Sequence, residues 1–434
     1  MVEQYAHGLR PRCSTRLSSP RSRLRPHTAT SCGAGSLSFF RPAQPPPFPF
    51  TVLQSKLPDV GVSIFTQMTL LAQETGAINL AQGFPDYDPP QELLEALARH
   101  ARTPGHHQYA PMPGLLRLRE AIAAQVARRH ADAPAPNPAT EITIAAGATE
   151  ALYAVLAAVV RPGDEVLVFE PAYDLYGPAI RLQGGVPRYV RLPAPHFRPD
   201  WEAVRRVVSP RTRLVLVNTP HNPSGAVFTA DDWHELARLL AGTDALVLSD
   251  EVYEHLVFDG TPRLSARQHP ELRERSFVLS SFGKTYHATG WKVGYCVAPP
   301  ALSAELRRVH QFITFSVSTP TQHALADVLA ADTADAHAQG LAPFYQQKRD
   351  EFRALLAGAG WDLLPVPGGY FQLARYGHFS TENDLAFAQY LAREKGVAVV
   401  PVSAIYHDGF DDGLIRFCFA KEAATLDAAA ARLR

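Results

Sequence analysis

Cysteine, methionine and tryptophan are scarce in this chain, at four, three and four residues of 434. Cys13, Cys32, Cys296 and Cys418 stand far apart with no C-x-x-C pair. That spacing argues against the disulfide framework of a small secreted scaffold and offers no cysteine-built zinc site. A reducing, cytoplasmic setting without a bound metal is therefore expected. Net charge is missing too. Lys plus Arg and Asp plus Glu number 42 each, so no bulk field draws the chain to nucleic acid or to a membrane surface. Nor does any apolar run reach the roughly 18 residues of a membrane-spanning helix. What is present is core material: 46% hydrophobic against 19% charged residues, enough for two or three domains with a sizeable interior.

Residues 1–51 depart from this composition, with seven arginines, one acidic residue (Glu3) and the proline cluster RPAQPPPFPF. Such a segment cannot bury enough to fold alone. It reads either as a start assigned too early or as an Arg- and Ser-rich transit-like leader. Folded sequence is expected from about residues 55–68. Beyond that, short apolar runs (EITIAA, DEVLVFE, RLVLVN, DALVLSD, SFVLSS, GYCVAP) alternate with helix-like stretches such as TEALYAVLAAVV. Strands apolar on both faces and separated by helices predict an α/β fold with a mostly parallel, covered sheet. The tail from about residue 306 combines helical stretches with the short strands GYFQLA, GVAVVP and LIRFCF, which predicts a smaller α+β part.

In an open α/β sheet ligands bind beyond the carboxyl ends of the strands, so polar residues at strand ends are the first candidates. Lys284, in SSFGKTYHATGWKVGY, follows the strand FVLS with Ser281 and Gly283 beside it. A lysine attacks a carbonyl only when unprotonated, and its ordinary pKa of about 10.4 must then be lowered by burial or a cationic neighbour. Lys292 is a candidate neighbour, although an isolated Gly-Lys pair is more often surface. In IAAGATEAL the helix is expected to open near Thr149, where exposed amides at the helix start and the Thr149 hydroxyl suit a phosphate; plain N-capping by Thr149 explains the motif equally well. Asn222, in NTPHNPSG, is either a turn residue or a hydrogen-bond donor in the crevice. Asp250 ends the apolar strand LVLSD with Tyr253 three residues on; it caps the next helix or needs a cation. Arg416 interrupts LIRFCF, where burial demands an anion, from an internal salt bridge or from a ligand carboxylate.

In their order, GATEAL, P-x-Y, NPSG, D-x-x-Y, S-x-x-K, G-W-K-x-G and a late arginine, these motifs resemble the class I/II aminotransferases, fold type I pyridoxal phosphate enzymes. The resemblance covers residues 55–434. With INLAQGFPDYDPP and HHQYAPMPGL, it is strongest for the branch holding methionine and kynurenine aminotransferases. It implies a seven-stranded large domain at 83–305 and a smaller domain at 306–434, with 52–82 forming an arm and part of the latter. It also implies pyridoxal 5'-phosphate as cofactor. Lys284 would bond to the cofactor's aldehyde and then shuttle a proton. Asp250 would pair with the ring nitrogen, Asn222 and Tyr253 would bind the phenolic oxygen, and Tyr173 would stack on the ring. The phosphate would fall to Ala148, Thr149, Ser281 and Lys292, and to Tyr109 of a second subunit, making the protein a homodimer. Arg416 and the Gly83 backbone would hold the substrate carboxylate. Many relatives place an arginine where Lys292 stands, so the phosphate gains a point charge without a fork.

No second arginine matches one that would hold a side-chain carboxylate. Tyr87, His221, Phe312 and Phe315 suggest instead a pocket for apolar or aromatic groups, unless His221 is a turn residue and the phenylalanines are core. The implied reaction moves the amino group of methionine, or of an aromatic amino acid, to a 2-oxo acid. A cysteine-conjugate β-lyase or kynurenine aminotransferase is the alternative. A cofactor-sensing regulator is a remote one, because residues 1–51 are too proline-broken for a helix-turn-helix.

Overall fold

The computed structural model describes residues 53–331 and 334–434, so the reading of residues 1–51 lies outside the described residues. Its main feature is a seven-stranded sheet whose strands are apolar because both faces are covered. In chain order the strands are β1 (Ile78–Asn79), β2 (Ile142–Ala145), β3 (Glu165–Glu170), β4 (Val186–Arg191), β5 (Thr212–Asn218), β6 (Leu246–Asp250), β7 (Ser276–Ser281), β8 (Gly294–Val297), β9 (Asp362–Leu363), β10 (Phe371–Arg375), β11 (Val397–Ala398), β12 (Val400–Pro401) and β13 (Leu414–Cys418). The large sheet has the order β2-β8-β7-β6-β5-β3-β4. Only β8 runs against its neighbours. Every residue of β2, β3 and β8 is buried, and nearly all of β5, β6 and β7. β4 sits at the edge and alternates exposed with half-buried positions along most of its length, which is why its sequence VPRYVR carries no clear apolar run.

The parallel strands all end on one side. Register pairs Asn218 with Asp250 and Asp250 with Leu279, so the last residues of β5 and β6 form a row with Leu279, and β7 runs on two residues further to Ser281. Helix Gly147–Val159 covers one face, packing Leu152, Val155 and Leu156 against Val168, Leu216 and Leu279. The other face shares a core with the C-terminal part, including Leu256, Phe352, Leu373 and Phe417.

That C-terminal part contains an antiparallel sheet of order β12-β13-β10-β9, and β1 pairs in parallel with β11. Arg416 occupies the middle of the central strand β13, opposite Leu373 of β10 and Val400 of β12. Strand alternation puts Leu414, Arg416 and Cys418 on one face and Ile415 and Phe417 on the other. The helical stretch DLAFAQYLAREKG is α-helical over Asp384–Tyr390 and widens into a π turn at Leu391–Lys395, closed by Gly396. Among the described residues no helix is long and apolar enough to cross a membrane, and Cys296 and Cys418 are buried, unpaired thiols.

Candidate active site

The row of strand ends opens into a cavity of about 580 Å³ lined by residues from both sheets. Lys284, Asp250, Tyr253, Asn222, Tyr173, Ala148, Thr149, Ser281, Lys292, Gly83 and Arg416 all reach its wall.

Lys284 stands on a one-turn helix, Phe282–Thr285, immediately after β7. Its Nζ donates to the Gly83 carbonyl at 2.8 Å and to the Tyr370 hydroxyl at 2.9 Å. Part of the side chain faces the cavity, but the amine is enclosed, and that burial lowers its pKa to about 8. Arg416 pushes in the same direction and Asp250 opposes it; Lys292, the expected cationic neighbour, contributes least of the named causes. Gly283 has a different reason from close ligand approach. A Cβ there would lie 2.9 Å from the Thr289 Cα, so glycine is required for the chain to pack on itself.

Asp250 is 4% exposed at the end of β6, and among the described residues no cation pairs with its carboxylate. Burial raises its pKa, while the Tyr176 hydroxyl, donating to Oδ2 at 2.6 Å, partly offsets the cost. The Val252 amide approaches Oδ1 only at 3.4 Å. Asn218, at the end of β5, donates to the Asp250 carbonyl and accepts from the Asn222 amide, fixing the 219–222 turn to the strand row. Tyr253 is buried edge-on to Tyr370, with ring centroids 5.0 Å apart.

Arg416 is 1% exposed and, among the described residues, has no carboxylate partner. Nη1 donates to Asn222 Oδ1 and Nη2 to the Ala81 carbonyl, each at 2.7 Å, while the buried Nε has no partner. Its guanidinium stacks 4.0 Å from the Phe371 ring centroid. The bond to Oδ1 also orients Asn222, leaving its amide nitrogen as the free donor.

Opposite these groups, helix Gly147–Val159 begins without any side-chain cap. Thr149 is therefore not the N-cap. It lies in the first turn, with Lys292 Nζ 3.5 Å from its hydroxyl. The strand β8 presses against this helix start: a Cβ on Gly294 would sit 2.9 Å from the Ala148 nitrogen and 2.7 Å from the Ser280 oxygen. Uncapped amides, a hydroxyl and a lysine converge on one point, a ready anion site.

Several expected residues lie elsewhere. Tyr109 is 80% exposed, edge-on to Phe315, and contributes nothing to the cavity of its own chain. Phe312 and Phe315 are also exposed, at 85% and 52%, so they are neither core nor pocket in this chain. Tyr87 hydrogen-bonds Tyr345 at 2.6 Å among other aromatics, outside the cavity lining. His221 is buried on a separate small void, held by Ser224 at 2.7 Å, and burial lowers its pKa to about 4. Conversely, Tyr176 and Tyr370 carry site contacts that no local motif announces, and Asn218, the first residue of NTPHNPSG, carries others beside the Asn222 singled out there.

A family model described as aminotransferase class I and II matches residues 75–433. The chain belongs to the class I and II aminotransferases. It is 52% identical over 88% of its length to the methionine aminotransferase of Escherichia coli, 97% of which is covered. It is 32% identical to the kynurenine–oxoglutarate transaminase of Dictyostelium discoideum, over 85% of this chain and 93% of that one. Among solved structures, the E. coli enzyme superposes with a TM-score of 0.85, covering 88% of this chain and 99% of that one. The N-succinyldiaminopimelate aminotransferase of Mycobacterium tuberculosis does so with 0.83 at 37% identity, with the same coverage.

This aminotransferase acts on an amino acid and a 2-oxo acid, and its cofactor is pyridoxal 5'-phosphate. The cavity fits that cofactor on its own chemistry. A buried carboxylate without a cation suits a protonated ring nitrogen, an amine of lowered pKa suits an aldehyde, and an uncapped helix start suits a phosphate.

Proposed function

We propose that this enzyme moves the amino group of methionine, and of other neutral or aromatic amino acids, to a 2-oxo acid. The carrying observation is the single cavity in which the Lys284 amine, the cation-free Asp250 carboxylate and the salt-bridge-free Arg416 guanidinium meet. When bound, pyridoxal phosphate supplies the aldehyde and a protonated ring that withdraws electrons from the substrate Cα. Asp250 would keep that ring nitrogen charged. Asn222, oriented by Arg416, and Tyr253 would donate to the phenolic oxygen, while Tyr173 would stack on the ring. Ala148, Thr149, Ser281 and Lys292 would hold the phosphate.

Arg416 grips the substrate carboxylate with the Gly83 amide, which makes no hydrogen bond among the described residues, and so aims the Cα proton at Lys284. With a pKa of about 8, the Nζ of Lys284 can take that proton and return it near neutral pH, as a general base should. Methionine is favoured because Arg416 is the only arginine on the cavity wall among the described residues, whereas Phe65, Phe84 and Phe371 offer apolar surface there. The similarity to the E. coli methionine aminotransferase points the same way. Aromatic donors follow from the kynurenine transaminase relative.

The exposed cluster of Tyr109, Phe312 and Phe315 supports a homodimer in which Tyr109 completes the partner's phosphate site. Sedimentation of the holoenzyme should give the mass of two chains. Tyr109→Phe should leave that mass unchanged while weakening cofactor binding. Assay of purified holoenzyme with methionine, phenylalanine, kynurenine and aspartate against several 2-oxo acids tests the substrate assignment. Methionine and the aromatic donors should outpace aspartate by a wide margin. Turnover of aspartate alone would overturn it.

A further inference from the structure

Away from the catalytic cavity, three histidine rings meet. His100 ends helix Gln91–His100, His106 follows in the next turn, and His323 belongs to helix Thr319–Ala330. The His106 and His323 rings stack 3.8 Å apart at 7°, and His100 lies 5.0 and 5.2 Å from them. One ring nitrogen from each lies within 4.8 Å of the others. None of the three lines the catalytic cavity.

Asp327, four residues after His323, decides how the cluster is set. Its Oδ2 lies 2.7 Å from His100 Nε2. A carboxylate only accepts, so Nε2 carries the hydrogen and Nδ1 of the neutral ring keeps its lone pair. That Nδ1 accepts a hydrogen bond from His106 Nδ1 at 3.1 Å, and a bound ion would take the place of the shared proton. Arg99 and Arg117 would repel a cation, but both bind Asp327 at 2.6 Å. The Asp327 carboxylate, gripped by both guanidiniums and by His100, offsets their charge.

We propose that His100, His106 and His323 form a site for a divalent transition-metal ion of the zinc class, with Asp327 as the positioning carboxylate. Imidazole nitrogens suit zinc, copper and nickel. With metal–nitrogen bonds of about 2.0–2.1 Å, two nitrogens on one tetrahedral ion stand about 3.3 Å apart, close to the 3.1 Å already present. The His106 and His323 planes are stacked at 7°, so their nitrogens do not yet converge, and binding requires a rotation of the half-buried His323 ring. The fourth position stays open to water. A histidine oriented by a carboxylate through its far nitrogen is a recurrent support for metal binding. Bound there, the ion ties the turn after His100 to helix Thr319–Ala330, three residues before Tyr109. It is a site for structure or regulation, and the transamination chemistry does not need it.

The test is calorimetric titration of chelator-treated holoenzyme with zinc chloride at neutral pH, with cobalt absorption to report tetrahedral nitrogen coordination. One ion per chain is expected, with a tetrahedral cobalt spectrum. His106→Ala and His323→Gln should weaken binding at least tenfold, and Asp327→Asn by about 10–100-fold. Thermal melts identify any variant that has merely unfolded, and His323→Gln keeps size and polarity if alanine does not fold. No stoichiometric ion in the wild-type protein, or affinity unchanged in folded His323→Gln, overturns the proposal.

Discussion

The lowered pKa of Lys284 can be measured on the cofactor-free protein as the pH profile of covalent capture by pyridoxal phosphate. Only the neutral amine attacks. An ordinary lysine with a pKa of about 10.4 is about 0.04% neutral at pH 7, whereas one at about 8 is about 9% neutral, a gain of about 200-fold. In energy the shift is about 3 kcal/mol, at roughly 1.36 kcal/mol per unit. Because burial is its largest cause, the shift should persist in high salt, which screens exposed charges far more than enclosed ones. Stopped-flow absorbance would follow the capture, with borohydride trapping and peptide mapping to confirm the site. The rate should rise with pH, reach half its maximum near pH 8 and level off above about pH 9. Asp250→Asn removes a charge that raises this pKa, so its profile should move to lower pH. A rate still climbing past pH 10, or label found at Lys292, would refute the reasoning.

Asp250→Asn has a second signature. Its folded pKa is raised by burial, so the cost to stability is full at pH values above that folded pKa, shrinks as pH falls below it, and is gone under the unfolded value of about 3.9. The cofactor-free variant should therefore be about 1–3 kcal/mol more stable than wild type at neutral pH, with the gap closing on acidification in urea melts; turnover should drop by about 100-fold or more. Arg416→Lys keeps the charge but loses the planar fork, which should cost about 2 kcal/mol, or roughly 30-fold in kcat/KM, with stability checked separately; unchanged kinetics would place the substrate carboxylate elsewhere. Gly294→Ala drives a Cβ to 2.9 Å from the Ala148 nitrogen. It should destabilise by about 1–3 kcal/mol and weaken cofactor affinity, whereas wild-type behaviour would mean that the contact is freely relieved.

The sequence was most legible where burial imposes a simple pattern. Strands β3, β5, β6 and β7 are covered on both faces, so their apolar runs stand out; edge strand β4, with Pro187, Arg188 and Arg191, escapes because only part of it is covered. Site residues at strand ends were legible for the same reason, since Asp250 and Arg416 are polar exactly where cost is highest. Tyr370 and Tyr176 were not. Their hydroxyls reach Lys284 and Asp250 across 86 and 74 residues of sequence, and an aromatic residue does not announce which way it points. The same ambiguity placed Tyr87, His221, Phe312 and Phe315 in the pocket. The histidine cluster was invisible because His323 lies far along the chain from His100 and His106, and cysteine spacing says nothing about imidazoles.

Four features of the cavity are each unfavourable to the protein alone. Among the described residues a carboxylate is buried without a cation, a lysine amine is enclosed, a guanidinium lacks a carboxylate and leaves its Nε unpartnered, and a helix starts uncapped. Selection for stability alone would remove them, since buried charges are readily replaced by apolar groups at no loss. What they lack is found together in one bound pair: a protonated ring nitrogen, an aldehyde carbon, a substrate carboxylate and a phosphate dianion. Unsatisfied polar groups scattered over a fold would carry no such meaning. Their convergence on one cavity, from β6, β13, the turn after β7 and the helix after β2, makes the missing partners a description of the ligand.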